Sequence, residues 1–312
     1  MSATPLVISS QDAVTRLEAV TKPVATVSPG EIIYFETSDR SYRELTAAAI
    51  DRGAVDFRQI NLMTGPVAIA GAEPGDALGF EILDIEITTD THVIYVARWR
   101  VHTLGIPQSS VAQFKISDQA VQISDSLAIP FQPMIGCIAT APANGTLSTL
   151  SPCRSTGGNL DIRDLTSGAT VWLPVRVDGG LFALGDLHAS MGQGEPIGCG
   201  LECGGVVTGR FLLRKRRELT GVRFESANRI GFVGSHATEA DVAERRALQS
   251  AWTWLAESTA LAKEESLAIA AALLDITPGG PAGANCVASF DLDRLRAVGI
   301  NPVLLRDTDP QT

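Results

Sequence analysis

A glycine-rich stretch near the middle of the chain, GDLHASMGQGE at 185–195, carries Asp186, His188 and Glu195. Glycine lets the backbone adopt strained turns and approach a ligand closely, so acids and a histidine placed among glycines are candidates for a functional site. The chain has only four histidines, which limits where a site that needs imidazole can lie. An ordinary surface loop is the structural alternative.

Asp186 and His188 are two positions apart in LFALGDLH, at 181–188. If this segment is a strand, both side chains point to the same face, where a carboxylate and an imidazole can bind one metal ion. A hydrogen-bonded pair that anchors a turn is the alternative. Asp161, in STGGNLD, offers a further oxygen ligand, and a mixed nitrogen and oxygen set suits zinc or a divalent ion of similar preference.

Two further polar residues are candidates for substrate binding. Asn159 lies two positions before Asp161, and Glu36 lies with Asp39 at the end of a predicted strand in PGEIIYFETSD. Residues of these types also form ordinary turns or close strand ends, which is the structural alternative for each of them.

The segments that hold these residues read mainly as strands. The alternating apolar residues of ALGFEILDIEI, at 77–87, change phase after Ile82, which predicts a strand interrupted by a bulge. Segments bounded by Gly, Pro or Asp predict further strands in HVIYVARW, TVWLPVRV and GLFALGDLHA, at 92–99, 170–177 and 180–189.

The pattern becomes helical after about Thr238. Leu248, Trp252 and Leu255 recur at helical spacing. A second predicted helix has its stripe at Leu267, Ala270, Ala271 and Leu274. We expect both stripes to pack into the core. The chain is therefore predicted to be one domain over 1–312, β-rich over 1–237 and helical over the C-terminal segment 238–312.

Composition limits the partners and the compartment. The 312 residues carry a formal net charge of -10, which disfavours nucleic acid and anionic membranes because the summed field repels polyanions. We interpret the basic run at 214–217 as a solvated strand end.

The five cysteines and an N-terminus without a signal-peptide pattern indicate a cytoplasmic protein, with Cys199 and Cys203 as small buried side chains. The longest apolar helical run, LAIAAALL, is too short to span a membrane.

Several common enzyme signatures are absent from the sequence. It contains no GxxxxGK[ST], no GxGxxG after a strand, no GxSxG and no HExxH. These absences remove the usual nucleotide-binding, α/β-hydrolase and zincin assignments.

A set of motifs in order along the chain resembles the acetamidase/formamidase family of amide hydrolases. They are VSPGEIIYFETSD, NLMTGPVAIAGAEPGDALGFEILDI, PMIG, TAPA, GGNLD and WLPVRVDGGLFALGDLHASMGQGE, followed by the closing helices. The resemblance implies a β/β/α architecture of stacked sheets covered by C-terminal helices, a homo-oligomer, and a divalent metal site that hydrolyses short aliphatic amides to carboxylate and ammonia.

The resemblance nominates four residues, Asp161, Asp186, His188 and Glu195, for a site that holds a divalent metal. We predict that Asp161, Asp186 and His188 bind the ion, with zinc preferred because of the mixed ligand set. We assign Glu195 to proton transfer, and the alternatives are that it binds the metal or closes the glycine turn. The sequence departs from the family pattern at Gln193, where the family usually has an acid, and in CRSTGG, where the family commonly has a glycine and a histidine before the diglycine.

The resulting hypothesis is a metal-assisted amidohydrolase acting on a small linear amide. One alternative is a cysteine amidase with Cys153 or Cys203 as nucleophile, which would need a lowered thiol pKa. Another is a non-catalytic protein on the same scaffold that binds or senses amides.

Overall fold

The computed structural model of the protein describes residues 5–56, 60–89, 91–95, 98–117 and 120–308. The strands are β1 Leu6–Ile8, β2 Ala13–Val14, β3 Arg16–Leu17, β4 Ala25–Val27, β5 Ile32–Thr37, β6 Met63–Ile69, β7 Ala77–Ile87, β8 Thr91–Tyr95, β9 Val111–Ser117, β10 Ala120–Ser124, β11 Leu127–Pro130, β12 Met134–Ala139, β13 Leu147–Ser148, β14 Gly157–Asn159, β15 Thr170–Pro174, β16 Phe182–His188, β17 Glu202–Cys203, β18 Gly205–Arg214, β19 Arg223–Glu225, β20 Arg229–His236, β21 Leu274–Pro278 and β22 Ala284–Asp291. The helices are α1 Arg40–Arg43, α2 Ala47–Asp51, α3 Arg98–Leu104, α4 Ala240–Ser258, α5 Lys263–Leu273 and α6 Leu292–Ala297.

The strands form two large sheets and one small one. The first sheet has nine strands in the order β1-β5-β18-β7-β15-β19-β20-β22-β21. The second has eleven, with β11-β10-β9-β8-β17-β16-β12-β14 as its main path, β6 beside β16, and β2 and β4 beside β6. β13 pairs with β3. Two stacked sheets with helices on one of them confirm the predicted β/β/α class.

Four phenylalanine rings join the two sheets. Phe35, Phe80 and Phe211 come from neighbouring strands of the nine-stranded sheet, and Phe182 begins β16 in the other sheet. Phe182 lies 5.7, 4.9 and 5.0 Å, between ring centroids, from Phe35, Phe80 and Phe211. Aromatic rings at these separations attract each other beyond their buried area. The first residue of β16 is therefore fixed in the core.

β16 is paired along most of its length and all of its residues are buried. β12 and β6 flank it at Gly185, which pairs with Cys137 on one side and Met63 on the other. β17 pairs with its end, so that His188 lies opposite Glu202. The strand predicted at 180–189 is confirmed, and the one predicted at 170–177 forms as β15 but ends at Pro174.

The bulge predicted in β7 is present. Along the β7–β18 pair, Asp84 faces Thr208 and Ile82 faces Gly209, so Leu83 is the extra residue. Leu83 is 37% exposed, whereas Ile82 is buried. The change of phase in the sequence pattern therefore marks the position where the strand reverses its buried face. Of the strand predicted at 92–99, β8 covers the first part, 96–97 lie outside the described residues, and α3 begins at Arg98.

The first C-terminal helix packs through a different face from the one predicted. α4 packs on β20 and β22, and the side chains it buries are Ala243, Ala247, Ala251, Trp254 and Leu255. A Cβ at Gly234 of β20 would lie 1.9 Å from the Ala243 carbonyl oxygen, so helix and sheet are in close contact. Alanine is small enough for this spacing between helix and sheet. The larger Leu248 and Trp252 lie outside the contact and are only half-buried. Leu255 is buried as predicted.

The stripe predicted for the second helix is correct only in part. Ala270 and Leu274 are half-buried against the core, as predicted. Leu267 is 50% exposed and Ala271 is exposed, and the residues that α5 buries are Ser266 and Leu273. The helix ends at Leu273, and Leu274 begins β21. The segment after 238 also contributes β21 and β22 to the nine-stranded sheet, so it is not wholly helical. The single-domain assignment stays a prediction.

The basic run at 214–217 is not simply a solvated strand end. Arg214 is buried, and its Nε and Nη2 donate to the carbonyl oxygens of Leu305 and Arg306 at 3.0 Å. Lys215 forms an ion pair with Asp76 at 2.7 Å. These contacts tie the end of β18 to the C-terminal segment and to the turn before β7.

All five cysteines are free and buried, as predicted for Cys199 and Cys203. Within the described ranges, none of the helices combines the length and the apolar character that a membrane crossing requires.

The two tryptophans of α4 provide a test of this packing. Trp254 is 5% exposed and lies against the rings of Phe232 and Phe290. Trp254→Ala should therefore lower the free energy of unfolding by about 3–5 kcal/mol. Trp252→Ala, on the half-exposed face, should lower it by about 1 kcal/mol. Urea denaturation of both variants measures the difference, and equal losses would contradict the assigned face.

Candidate metal and catalytic site

The structure brings together the three residues predicted as metal ligands. Asp186 and His188 lie on β16, and Asp161 follows β14 by two residues. One ligand atom from each lies within 4.8 Å of the others, and all three side chains are buried. Asp186 Oδ1 is 3.9 Å from His188 Nε2. The alternative of a simple turn anchor does not explain why a third buried acid joins the pair.

Glu195 belongs to the same cluster, which we call the acid cluster: Asp161, Asp186, His188, Glu195 and Glu202. Ligand atoms of His188, Glu195 and Glu202 also lie within 4.8 Å of one another, so two sets of three residues share the histidine. Glu195 lies in the turn that follows β16, and it is 6% exposed.

Glu202 is the acid that sequence reasoning missed. Its Oε2 lies 3.2 Å from His188 Nε2, and the Gly200 backbone N–H donates to its Oε1 at 3.2 Å. Glu202 faces His188 across the β16–β17 pair. Predicting an antiparallel pair between GDLHA and GLECGG would therefore have placed Glu202 next to His188. The relevant signal was the pairing of the two segments rather than a motif.

The His188 ring is held on several sides. Its Nδ1 lies 3.1 Å from the Met134 sulfur, on the neighbouring strand β12. A Cβ at Gly200 would lie 2.5 Å from the ring carbon Cγ, so position 200 has room only for glycine. The ring therefore directs Nε2 towards the acids, and imidazole nitrogen is a preferred ligand of zinc.

Asp186 is oriented by two residues that are distant in sequence. The Tyr42 hydroxyl lies 2.5 Å from Asp186 Oδ1 and 2.9 Å from Asn61 Oδ1, and Asn61 Nδ2 donates to Asp186 Oδ2 at 2.9 Å. The Cys137 thiol lies 3.5 Å from Asp186 Oδ2. No sequence pattern connects Tyr42 or Asn61 with this site, because both are more than a hundred residues away.

The two predicted substrate-binding residues are placed differently. Asn159 is buried next to the acid cluster, where its Oδ1 accepts a hydrogen bond from Cys137 Sγ at 2.9 Å. Glu36 lies on β5, paired with Val206. Among the described residues, no hydrogen bond or ion pair links its half-buried side chain to the acid cluster. The role of each residue in substrate binding stays a prediction.

The backbone of the site is strained. Four of its residues have positive φ: Asn61 at 57°, Asp161 at 47°, Asp186 at 59° and Glu195 at 43°. Positive φ is uncommon for residues other than glycine, and such strain is concentrated at functional sites. Asp186 adopts it inside β16, so its side chain does not have the regular orientation that strand alternation assumes.

Burial changes the protonation of the acid cluster. It raises the pKa of Asp161 to about 7, and it also raises the pKa of Glu195 and Glu202 above their ordinary values, with the neighbouring carboxylates adding to the shift. Burial lowers the pKa of His188, but Glu202 beside it more than reverses this effect. Because charged acids repel one another at low dielectric, the cluster needs protons or a cation.

The acid cluster fits a divalent cation. Both carboxylate oxygens of Asp161 are buried, no N–H group of the described residues donates to them, and their hydrogen-bonding neighbour is another acid, Glu195. A Cβ at Gly136 would lie 2.7 Å from both Asp161 Oδ1 and Asp186 Oδ2, so glycine leaves the space between the two carboxylates open. Two carboxylates and an imidazole are a set that zinc and similar ions bind.

Gln193 has a structural role at the position where the family pattern has an acid. Its Nε2 donates to the Pro278 carbonyl oxygen at 2.7 Å, and its Oε1 accepts from the Arg163 backbone N–H at 3.3 Å. A carboxylate could accept the second hydrogen bond but could not donate the first. The amide therefore links the turn that carries Glu195 to the end of β21.

Comparison with known proteins identifies the family. The model of the Acetamidase/Formamidase family matches residues 7–151 and 133–258, and the chain belongs to this family. An acetamidase from Mycolicibacterium smegmatis is 26% identical over 249 residues, which cover 59% of this chain and 61% of that protein. The chain thus spans less than two thirds of that relative.

Solved structures agree over nearly the whole chain. The crystal structure of an acetamidase from Bacillus halodurans has a TM-score of 0.84 and 32% identity, and covers 95% of this chain and 100% of its own. That of a predicted acetamidase/formamidase from Thermoanaerobacter tengcongensis has a TM-score of 0.85 and 27% identity, with coverage of 96% and 99%.

Gly136 provides a test of the cation site. Gly136→Ala places a methyl group between Asp161 and Asp186, so we expect the folded protein to hold a divalent ion about tenfold more weakly or worse. Gly192→Ala is the matched control, since its Cβ would meet only Pro196 at an ordinary 3.5 Å. Metal analysis after dialysis, with circular dichroism as a check on folding, compares the variants. Equal metal content would argue against the site.

Proposed function

We propose that the protein hydrolyses a small linear amide, of the formamide or acetamide kind, to a carboxylate and ammonia with the help of a divalent metal ion. The observation that carries this proposal is the buried acid cluster, where Asp161, Asp186 and His188 converge beside a further acid, Glu195. Membership of a family whose relatives are named acetamidase and formamidase supports the substrate class.

Asp161, Asp186 and His188 would hold the ion, for which zinc is the preferred identity. When bound, a divalent ion polarises the amide carbonyl and lowers the pKa of water towards about 7. The contribution of the chain is to fix the ligands: Tyr42 and Asn61 orient Asp186, and the Met134 sulfur lies against the other ring nitrogen of His188, Nδ1. Interactions of this kind are typically needed for full metal affinity.

Glu195 would carry the proton. Water adds its oxygen to the carbonyl carbon, and the carboxylate of Glu195 takes the proton that the water releases. The same proton then passes to the amide nitrogen, so that the C–N bond breaks and ammonia leaves in place of a poor amide anion. Glu195 suits this role because it lies within the acid cluster while its turn is held by Gln193.

Asn159 would position the substrate. Cys137 fixes its side-chain oxygen, and the amide NH₂ group is then the part of Asn159 suited to donate to a substrate carbonyl. Glu36 is the second proposed contact with substrate, although the described contacts do not join it to the acid cluster. We also propose that the enzyme works as a cytoplasmic homo-oligomer without nucleic-acid or membrane partners. The net charge of -10 supports the last two points.

The cysteine alternative is opposed by the state of the thiols. Burial raises the pKa of Cys153 and of Cys203, and nearby carboxylates raise both further. A reactive cysteine needs the opposite shift, since the thiolate is the nucleophile.

Glu195→Gln tests the proton carrier. Glutamine keeps the shape and hydrogen bonding of the residue but cannot carry a proton, so turnover should fall by about 10²-fold or more while folding and metal content stay unchanged. Ammonia release and metal analysis on the same sample measure both. Loss of the metal would make Glu195 a ligand, and near-normal turnover would exclude its role as proton carrier.

A chelator and iodoacetamide together distinguish a metal-dependent amidase from a cysteine amidase. Ammonia release should be lost after treatment with a chelator, restored by adding back a divalent ion, and unaffected by iodoacetamide. A panel of formamide, acetamide and larger amides defines the acyl group. If no amide releases ammonia from the metal-loaded protein, the non-catalytic alternative of amide binding or sensing would be favoured.

A further inference from the structure

A broad groove lies beside α4, with a volume of about 1220 Å³. Residues 153–155, the loop after β18, β19, β20 and α4 contribute to its walls. No residue of the acid cluster lines it, but Cys153, which does, donates to the backbone carbonyl oxygen of Asn159 at 2.8 Å. Its charged lining consists of five arginines and two glutamates: Arg154, Arg216, Arg217, Arg223, Arg246, Glu218 and Glu257. A positive groove is unexpected in a chain with a net charge of -10.

Acidic side chains compensate two of the five arginines, Arg217 through Glu257 and Arg223 through Glu225. Glu218 forms its ion pair with Arg176, which is not part of the lining, and Glu257 lies 3.7 Å from Arg217. No acidic side chain among the described residues pairs with Arg216 or Arg246. The Arg246 guanidinium donates to the Ser235 carbonyl oxygen, which holds it at the groove without cancelling its charge.

The inner wall contains two buried donors. The Arg223 side chain is 8% exposed and lies over the rings of Phe232 and Trp254, at 5.6 and 5.9 Å from their centroids. Its Nη2 pairs with Glu225, but its Nε has no hydrogen-bond partner within the described part of the chain. Trp254 Nε1 also lacks a hydrogen-bond partner among the described residues. Leaving such donors unmatched is costly, so this wall of the groove carries unmet hydrogen-bonding capacity.

We propose that this groove, whose lining shares no residue with the acid cluster, is a second binding site for a small organic polyanion whose phosphate or carboxylate groups are attached to an aromatic or apolar body. Guanidinium forks match the oxygens of both anion types in a bidentate manner. Phe232 and Trp254 supply an apolar wall for the body of the ligand. The groove is larger than a single inorganic ion requires.

The test measures binding to the full chain, so it does not depend on amide turnover. Calorimetric titration with ATP, AMP, pyrophosphate and citrate separates phosphate from carboxylate recognition, and the nucleotides test the role of the apolar wall. We expect at least one organic polyanion to bind with millimolar or better affinity and to change the intrinsic tryptophan fluorescence of the protein. Binding should weaken about tenfold or more in Arg216→Ala and in Arg246→Ala.

Arg245→Ala is the matched control. Arg245 lies next to Arg246 on α4 but points to solvent, where it pairs with Asp241 at 3.3 Å, and it does not line the groove. Its replacement should leave binding unchanged. Absence of binding by all four anions, or equal affinities for the Arg216→Ala variant and the unaltered protein, would overturn the proposal. So would a change of oligomeric state in the Arg216→Ala and Arg246→Ala variants without a change in anion binding, since the groove would then be a contact between copies.

Discussion

Repulsion among buried carboxylates is the constraint on which the rest of this structure depends. Asp161, Asp186, Glu195 and Glu202 converge on one imidazole in an interior that excludes solvent. Such an arrangement persists only if protons or a cation compensate it and if the surrounding scaffold is rigid enough to hold the groups together. The neighbours of the site follow from this need: glycines leave space between the acids, and neutral donors orient them without adding competing charge.

The scaffold meets this demand by fixing β16 from several directions. Phenylalanine packing holds its first residue, β12 and β6 flank its middle, and β17 pairs with its end. The left-handed backbone at Asp161, Asp186 and Glu195 then turns the three acids inwards from elements that would otherwise direct them elsewhere. Strained backbone of this kind persists only where the surrounding structure holds it in place, as the strands paired with β16 do here.

The local spacing of residues in the sequence was enough to predict part of this structure. Asp186 and His188 lie close together, as their two-residue spacing predicted, but the positive φ of Asp186 departs from the strand alternation on which that prediction rested. The change of phase after Ile82 located the bulge in β7. Helix faces were harder to predict, because the close approach of α4 to β20 favours alanines over the larger Leu248 and Trp252. Pattern alone had no means of finding Tyr42 and Asn61, whose role arises only when distant segments meet.

Those two contacts also bear on how the molecule folds. Tyr42 and Asn61 reach Asp186 across 144 and 125 residues of chain. Contacts of such high sequence separation require loop closure before they contribute any stability, and proteins rich in them fold slowly. The orientation of the Asp186 carboxylate therefore depends on segments far apart in the chain having met. A probe of this carboxylate during refolding would report that meeting rather than the formation of any one segment.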